Sequence, residues 1–321
     1  MFMRHYNNNN SKACGTRTFF LILSSLFFCT TSNARNFNTH WIYAPQSDSL
    51  SHVWFRRAYP CDGKPMQASI TVASTGYFKL YVNECNVSTA SFHPLRHNGD
   101  STAAAIEFDV TPYLRRDTNV IAIIYSPTTP SASHRQISVN FNGTSHQGDK
   151  FCHTSDDSWI CRRANSRMTT DGGEAIDGRG HDPSWKAATC TSAALWLNAE
   201  KHHGDISQDL PTSSTSHHAW KTTKVTSLSY LRISQNPILL YLANSFWGFV
   251  RITIRGARRG ERMRIGNVQY TCRGELDEQA FPQFSLSSLS TVSITGDRLF
   301  KPSQVTDIDM VEMGKGWFNG Y

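Results

Sequence analysis

Three short segments in the first half of the chain read as consecutive β-strands, and they constrain the fold more than any other feature. Gly76–Asn83 carries alternating aromatic and aliphatic residues and ends at a polar corner. Ile106–Leu114 runs into the sequence D-V-T-P-Y-L, where Pro112 cannot donate a sheet hydrogen bond and so marks a boundary. Asn119–Ile123 begins a β-branched, apolar run that is typical of a buried strand.

The same patterning continues along the chain. Residues 67–74 alternate apolar with polar side chains, and residues 248–256 alternate strictly. No segment has the periodicity of an amphipathic helix of three or more turns, which predicts an all-β protein. The length suggests about two domains, and the polar, Ser/Thr-rich residues 199–224 predict a linker between them. We therefore predict two β-sandwich modules, at residues 35–198 (loop-rich at 142–190) and at residues 225–321.

The N-terminus predicts export. Arg4, Lys12 and Arg17 precede the apolar run at residues 19–28, and Ser32-Asn33-Ala34 fits a small-x-Ala cleavage site. Because the apolar run is shorter than a transmembrane helix requires, residues 1–34 are predicted to be a signal peptide. The mature chain would then be periplasmic, extracellular or on the cell surface, with no membrane span. An uncleaved anchor is the alternative.

The charge of the mature chain argues against nucleic acid as a partner. The full sequence has 32 Lys and Arg against 25 Asp and Glu, and three of the basic residues lie in the predicted leader. The remaining 29 basic residues against 25 acidic ones leave a net charge of +4. So mild a charge, without a Lys/Arg run, is not the electrostatic footprint of a nucleic-acid-binding protein.

Six cysteines follow the predicted cleavage site, at irregular spacings and without a C-x-x-C pair: Cys61, Cys85, Cys152, Cys161, Cys190 and Cys272. This pattern argues against a zinc site. Export permits disulfides, and Cys152 and Cys161 are the pair nearest in sequence. The even count is equally compatible with buried free thiols.

Three motifs occur in order in the loop-rich segment: D-D-S-W at Asp156–Trp159, G-E-A-I-D-G-R at Gly173–Arg179, and D-P-S-W-K-A-A at Asp182–Ala188. With the strand series, this order resembles the non-catalytic N-terminal β-sandwich modules of bacterial α-L-rhamnosidases. The resemblance implies sandwiches of the jelly-roll or galactose-binding-like kind. The chain departs from the family pattern at Ile176, where an aromatic residue is usual, and at Gly178, where Ala is common.

The resemblance also points to a function in carbohydrate recognition. Family members place their catalytic acid and base in an (α/α)₆ barrel beyond these modules, and no segment here has the helical periodicity of such a barrel. We therefore expect an exported protein that binds a rhamnose- or galactose-containing glycan and is not catalytic alone. A separate catalytic subunit is a candidate partner.

The candidate site residues lie in the motif segment. A sugar site combines an aromatic face against the apolar side of the ring with planar polar groups that reach the hydroxyls. Trp159, Trp185, Glu174, Asp177 and Arg179 supply all of these groups. The glycines around the 174–179 segment predict a tight loop on which the three charged groups converge. The alternative is that both Trp residues are core and that the loop is held by salt bridges.

Other chemistry finds less support in the sequence. No cofactor and no catalytic residue is assigned, and no nucleophile signature is present. Related sandwiches often hold a structural calcium ion through loop oxygens. Four aspartates could contribute such ligands, although no D-x-D-x-D run assigns them: Asp48, Asp62, Asp109 and Asp182.

Two other functions remain open from the sequence. The first is a structural or assembly protein, or a truncated enzyme, that contacts a partner and binds no sugar. The second is a glycoside hydrolase that uses a pair of loop carboxylates, with Glu174 and Glu275 among the candidates.

Overall fold

The structure is a computed structural model that describes residues 36–88, 104–132, 135–190, 195–202, 209–214, 220–227 and 237–315. The predicted signal peptide therefore lies outside the described residues. The described residues all belong to one structural unit, residues 34–321. The helices that the structure describes in full are 3₁₀ turns of three or four residues: Thr111–Tyr113, Gly178–Gly180, Pro183–Lys186 and Pro302–Gln304. The prediction of an all-β protein is confirmed.

The strands of the first half are β1 (Asn36–Asn38), β2 (Ile42–Tyr43), β3 (Ser51–Pro60), β4 (Gln67–Ser74), β5 (Tyr77–Val82), β6 (Cys85–Asn86), β7 (Ala104–Asp109), β8 (Thr118–Ser126), β9 (Gln136–Thr144), β10 (Lys150–Thr154), β11 (Ile160–Met168), β12 (Glu174–Asp177), β13 (Leu197–Asn198), β14 (Glu200–Lys201) and β15 (Asp209–Ser214). Those of the second half are β16 (Trp220–Ser227), β17 (Ile238–Arg255), β18 (Arg262–Ile265), β19 (Val268–Thr271), β20 (Asp277–Ala280), β21 (Ser287–Gly296) and β22 (Val305–Lys315).

The first sandwich packs a sheet of order β1-β15-β7-β4-β9-β2-β14, with β10 beside β9, against the strands β11-β3-β8-β5-β6. Side chains from both sheets share one core, in which Phe55, Ile70, Phe78 and Ile123 are at most 1% exposed. The predicted buried strand is β8, and its pattern explains why the sequence shows no alternation there. Ile121 and Ile123 face this core, whereas Val120, Ala122 and Ile124 belong to a separate cluster on the opposite face.

The second core is enclosed by strands β17 to β22, where Ile238, Ile252, Ile294 and Ile308 are fully buried. β17 is long because it pairs with β22 along one edge and with both β20 and β21 along the other. Together the two cores confirm the prediction of two β-sandwich modules.

A short strand joins the two sandwiches into one continuous sheet. β12 pairs antiparallel with β11 of the first sandwich and parallel with β19 of the second, with Glu174 opposite Val268. The sequence predicts a loop at this segment, and that prediction is wrong at residues 174–177. The segment becomes a strand because partners on both sides satisfy its backbone groups.

The polar stretch at 199–224 also contributes strands. Thr212 of β15 pairs with Ala105 of β7, and Val225 of β16 pairs with Val311 of β22. Stretches of this range therefore extend both sandwiches. No helix among the described residues is long and apolar enough to span a bilayer.

Candidate functional site

A cavity of about 430 Å³ lies between the outer face of the first sandwich and strands β19 and β20 of the second. Its aromatic wall is formed by Trp54 from β3, Tyr81 from β5 and Trp185 from the 3₁₀ turn. The rings of Trp54 and Trp185 stack with centroids 5.4 Å apart and planes 8° from parallel, and Tyr81 meets Trp185 edge-on at 5.3 Å. We call this space the aromatic cavity.

Polar groups complete the aromatic cavity. Its lining includes Gln279, Gln283, His181 and Lys186. The Nζ of Lys186 lies 4.5 Å from the centroid of the Tyr81 ring, and burial lowers the pKa of this amine. Burial also lowers the pKa of His181, which favours a neutral imidazole that can both donate and accept a hydrogen bond. Aromatic faces beside amide and imidazole groups suit a ligand with an apolar ring face and a rim of hydroxyls.

The carboxylates nearest the aromatic cavity already have partners. Glu278 is 2% exposed and accepts hydrogen bonds from the Tyr270 hydroxyl at 2.9 Å and from the backbone N–H groups of Arg273 and Gly274. The guanidinium of Arg255 donates to both oxygens of Asp277. Each carboxylate is therefore held by contacts within the second sandwich.

Glu174 is buried at the joint between the sandwiches, 1% exposed. Its Oε2 accepts hydrogen bonds from the backbone N–H groups of Gln283 at 2.8 Å and Phe284 at 2.9 Å. Its Oε1 lies 3.8 Å from Nδ1 of His52. Burial raises the pKa of this carboxyl to about 7, an effect that its two backbone hydrogen bonds and Lys79 oppose.

Asp177 and Arg179 form a bidentate pair at the surface, apart from Glu174. Arg179 donates from Nε to Oδ1 at 2.9 Å and from Nη2 to Oδ2 at 2.7 Å, and the two side chains are 46% and 43% exposed for Arg179 and Asp177. The hydrogen bond from Arg179 holds the pKa of Asp177 below its usual range. The three charged groups do not converge, because Glu174 and Asp177 are three residues apart on a strand and face opposite sides.

The two predicted Trp residues lie in different places. Trp159 is 0% exposed within the first core, whereas Trp185 is 6% exposed and forms a wall of the aromatic cavity. The structure therefore places Trp185 on the wall of the aromatic cavity and leaves Trp159 and Glu174 inside the protein. Asp177 lines a second, larger space on the other side of β12.

Sequence reasoning missed Trp54 and Tyr81. Trp54 alternates with Val53 and Phe55, which face the first core, so the alternation places it on the outer face. Tyr81 likewise lies between the buried Leu80 and Val82. The period-two pattern contained this signal, but nothing in the sequence indicated that the outer face would be covered by the second sandwich.

Three of the four candidate calcium ligands accept a hydrogen bond in a turn of their own, and calcium binding stays a prediction. Asp48, Asp109 and Asp182 each accept a backbone N–H from a residue two positions later in their own turn. No group of three or more His, Cys, Asp or Glu among the described residues is arranged to hold a metal. The six cysteines that follow residue 35 are all free thiols.

Comparison with known proteins identifies what these modules are similar to. Residues 63–227 match the family model for the α-L-rhamnosidase N-terminal domain. Comparison with curated proteins gave no match. Three solved structures of α-L-rhamnosidases share the fold.

The enzyme from Dictyoglumus thermophilum matches with a TM-score of 0.74 and 17% identity, over 87% of this chain and 36% of that one. The enzyme from Aspergillus terreus matches with a TM-score of 0.72 and 14% identity, over 87% and 36%. The enzyme from Streptomyces avermitilis, solved with L-rhamnose, matches with a TM-score of 0.71 and 15% identity, over 83% and 29%. This chain thus spans about a third of the length of these proteins.

Proposed function

We propose that this chain, which belongs to the family of α-L-rhamnosidase N-terminal domains, is an exported accessory protein that binds a rhamnose- or galactose-containing glycan and does not cleave it alone. The observation that carries this proposal is the aromatic cavity. A stacked pair of Trp rings and an edge-on Tyr face a space of about 430 Å³ that also holds amide, imidazole and amine groups.

The chemistry of the cavity matches a sugar better than an apolar ligand. A pyranose offers a C–H face to an aromatic ring and hydroxyls to planar polar groups at the ring edge. Tyr81 and Trp185 supply an aromatic wall, and the exposed His181 and Gln279 supply polar groups on the same cavity. The size falls in the range of small-ligand pockets, which supports a site for one or two sugar rings.

Binding without hydrolysis is supported by how the nearby carboxylates are occupied. Glycoside hydrolysis uses two carboxyl groups on either side of the scissile bond, one of them as a proton donor. Glu174 is buried on backbone N–H groups, and Glu278 is held by three donors of the second sandwich. Neither is free to act on a ligand in the aromatic cavity.

Export is supported by the signal-peptide pattern of residues 1–34. On this proposal, the protein meets its glycan outside the cytoplasm, and its N-terminal residue after cleavage is Arg35. Mass spectrometry of the exported protein should give the mass of the chain that begins at Arg35. An intact Met1 on the exported protein would contradict this part of the proposal.

A panel of rhamnose- and galactose-containing glycans tests the proposal. The mature chain should bind at least one of them with a millimolar to micromolar dissociation constant, and it should release no product from a chromogenic rhamnoside. An absence of binding across a broad panel would overturn the proposal that the chain binds a glycan. Rhamnoside hydrolysis that Glu174→Gln or Glu275→Gln abolishes would overturn the non-catalytic assignment.

Contact with a separate catalytic subunit is a second candidate function, favoured by an apolar surface on the first sandwich. Leu195 is 61% exposed and Leu197 is 40% exposed, and both line a shallow space of about 330 Å³ with Ala44 and Pro45. Sedimentation of the chain mixed with a rhamnosidase catalytic barrel from the same source tests this contact. We expect complex formation that Leu195→Ser weakens, and two independent species would exclude it.

A further inference from the structure

A cleft of about 820 Å³ lies on the other side of the joining strand β12. Five arginines line it: Arg162, Arg163 and Arg167 from β11 of the first sandwich, and Arg262 and Arg264 from β18 of the second. We call it the arginine cleft.

The register of four neighbouring strands places Arg167 and Arg264 on one face, whereas Arg162 lies opposite Trp54 and stacks over its ring. Arg264 lies opposite Gln269, Gln269 lies opposite Ala175, and Ala175 lies opposite Arg167. This row therefore has a guanidinium at each end and a polar amide and a small methyl group between them. Three strand spacings separate the two ends, a distance of about 14 Å, which is longer than one sugar ring. A second row starts with Arg262, which lies opposite Thr271.

The positive charge of this face is only partly neutralised. Asp177 in the cleft is occupied by Arg179, and Asp48 lies 3.9 Å from Arg167 at its nearest approach. Arg163 donates to the backbone carbonyl of Gln46. Arg162 pairs with Asp182 and Arg264 pairs with Asp171, each at 3.4 Å, and Asp297 in the lining accepts the backbone N–H of Arg262. The side chains of Arg163 and Arg262 form no ion pair within the part of the chain that the structure describes.

We propose that the arginine cleft binds the carboxylates of a uronic-acid-bearing polysaccharide, so that the glycan recognised by this protein is anionic. This inference rests on the proposed function for its ligand class, but it uses a different surface from the aromatic cavity. Guanidinium groups bind carboxylates through two parallel hydrogen bonds. The Gln269 amide and the Thr271 hydroxyl on the floor can bond to sugar hydroxyls between the charged ends.

The proposal is tested by comparing two ligands. The first is a hexamer of galacturonic acid, and the second is the same hexamer after reduction of its carboxyl groups, which makes it a neutral hexamer of galactose. Calorimetry should show that the acidic hexamer binds at least tenfold more tightly than the reduced one. Raising the salt concentration should weaken the binding of the acidic hexamer only, because salt screens the interaction between exposed charges. Equal affinity for the two hexamers would overturn the proposal.

The matched variants are Arg163→Ala with Arg262→Ala, and the control Arg116→Ala with Arg258→Ala, which removes the same charge from exposed positions outside the cleft. The cleft variant should lose about tenfold in affinity for the acidic hexamer, or about 1.4 kcal/mol, with no change in melting temperature. The control should bind like the wild type. Equal losses in both variants, or equally tight binding of polyglutamate, would show unspecific polyanion attraction and overturn the proposal.

The outcome for the reduced hexamer separates this inference from the proposed function. If the reduced galactose hexamer binds and the acidic hexamer binds no more tightly, the arginine cleft does not bind carboxylates, and the proposed recognition of neutral glycans stands. If only the acidic hexamer binds, and the cleft variant abolishes this binding, the inference stands and recognition of neutral glycans fails. If neither hexamer binds, the inference is overturned whatever the broader glycan panel shows.

Discussion

Oε2 of Glu174 accepts a hydrogen bond from the backbone N–H of Phe284 at 2.9 Å, which ties the joining strand to a loop of the second sandwich. The carboxylate is buried, and the same oxygen also binds the N–H of Gln283. The family motif that contains Glu174 therefore has a structural role at the joint between the modules.

Replacing Glu174 with Ala should destabilise the protein by about 2–5 kcal/mol, because two buried backbone N–H groups would lose their acceptor. Glu174→Gln should cost less, since its amide oxygen can still accept from Gln283 and Phe284. Urea unfolding measures the free energy of unfolding of both variants. The exposed Glu107→Ala provides the control, with a change within about 0.5 kcal/mol. Equal stability of Glu174→Ala and the control would contradict this role.

His52 should make the fold sensitive to acid. Burial, together with the charge of Lys79, lowers the pKa of His52 to about 3. At this residue the unfolded chain, with a pKa of about 6.5, binds more protons than the folded one between these values, so the contribution of His52 to stability is lost as the pH falls below 6.5.

His52→Asn should remove this sensitivity while keeping a polar contact to Ser166 Oγ, which lies 2.8 Å from His52 Nδ1. Between pH 6.5 and pH 5 the wild type should lose about 2 kcal/mol more than the variant. Chemical denaturation at the two pH values measures the difference. Parallel losses in the two proteins would show that His52 does not titrate on unfolding.

The two Trp residues of the motif segment should respond differently to the same substitution. Trp159→Phe should lower stability and leave glycan affinity unchanged, because Trp159 lies in the first core. Trp185→Phe should lower both, because its ring also forms a wall of the aromatic cavity. Unfolding and glycan titration of the two variants provide the comparison. An affinity loss in Trp159→Phe alone would contradict these placements.

Arg179→Ala should change the melting temperature little, because its pair with Asp177 is exposed to solvent at the surface. A drop as large as that of Glu174→Ala would mean that the pair holds the joint. Thermal unfolding followed by circular dichroism separates the two results.

Most of the fold was readable from the sequence, because strand alternation such as that of β4 and β5 depends only on neighbouring residues. The joining strand β12 could not be predicted from the sequence, because the pairing of Glu174 with Val268 links positions far apart in the chain. The same limit applies to the site. Alternation indicates that Trp54 faces away from the first core, but the cover supplied by the second sandwich is a long-range contact.

Trp185 lies on the wall of the aromatic cavity beside polar groups, and its role in sugar binding stays a prediction. Arg179 and Glu174 were grouped because they are near in sequence. The strand geometry of residues 174–177 separates them, and no local pattern distinguished that strand from a Gly-rich loop.

Calorimetric titration of the aromatic cavity tests the central claim most directly, with the glycan that binds tightest in the panel as the ligand. His181→Ala with Gln279→Ala removes two exposed polar groups of the cavity, and His40→Ala with Gln147→Ala removes matched groups outside it. We expect the cavity variant to bind at least tenfold more weakly than the wild type and the control variant to bind equally well. Unchanged affinity in the cavity variant would contradict the account.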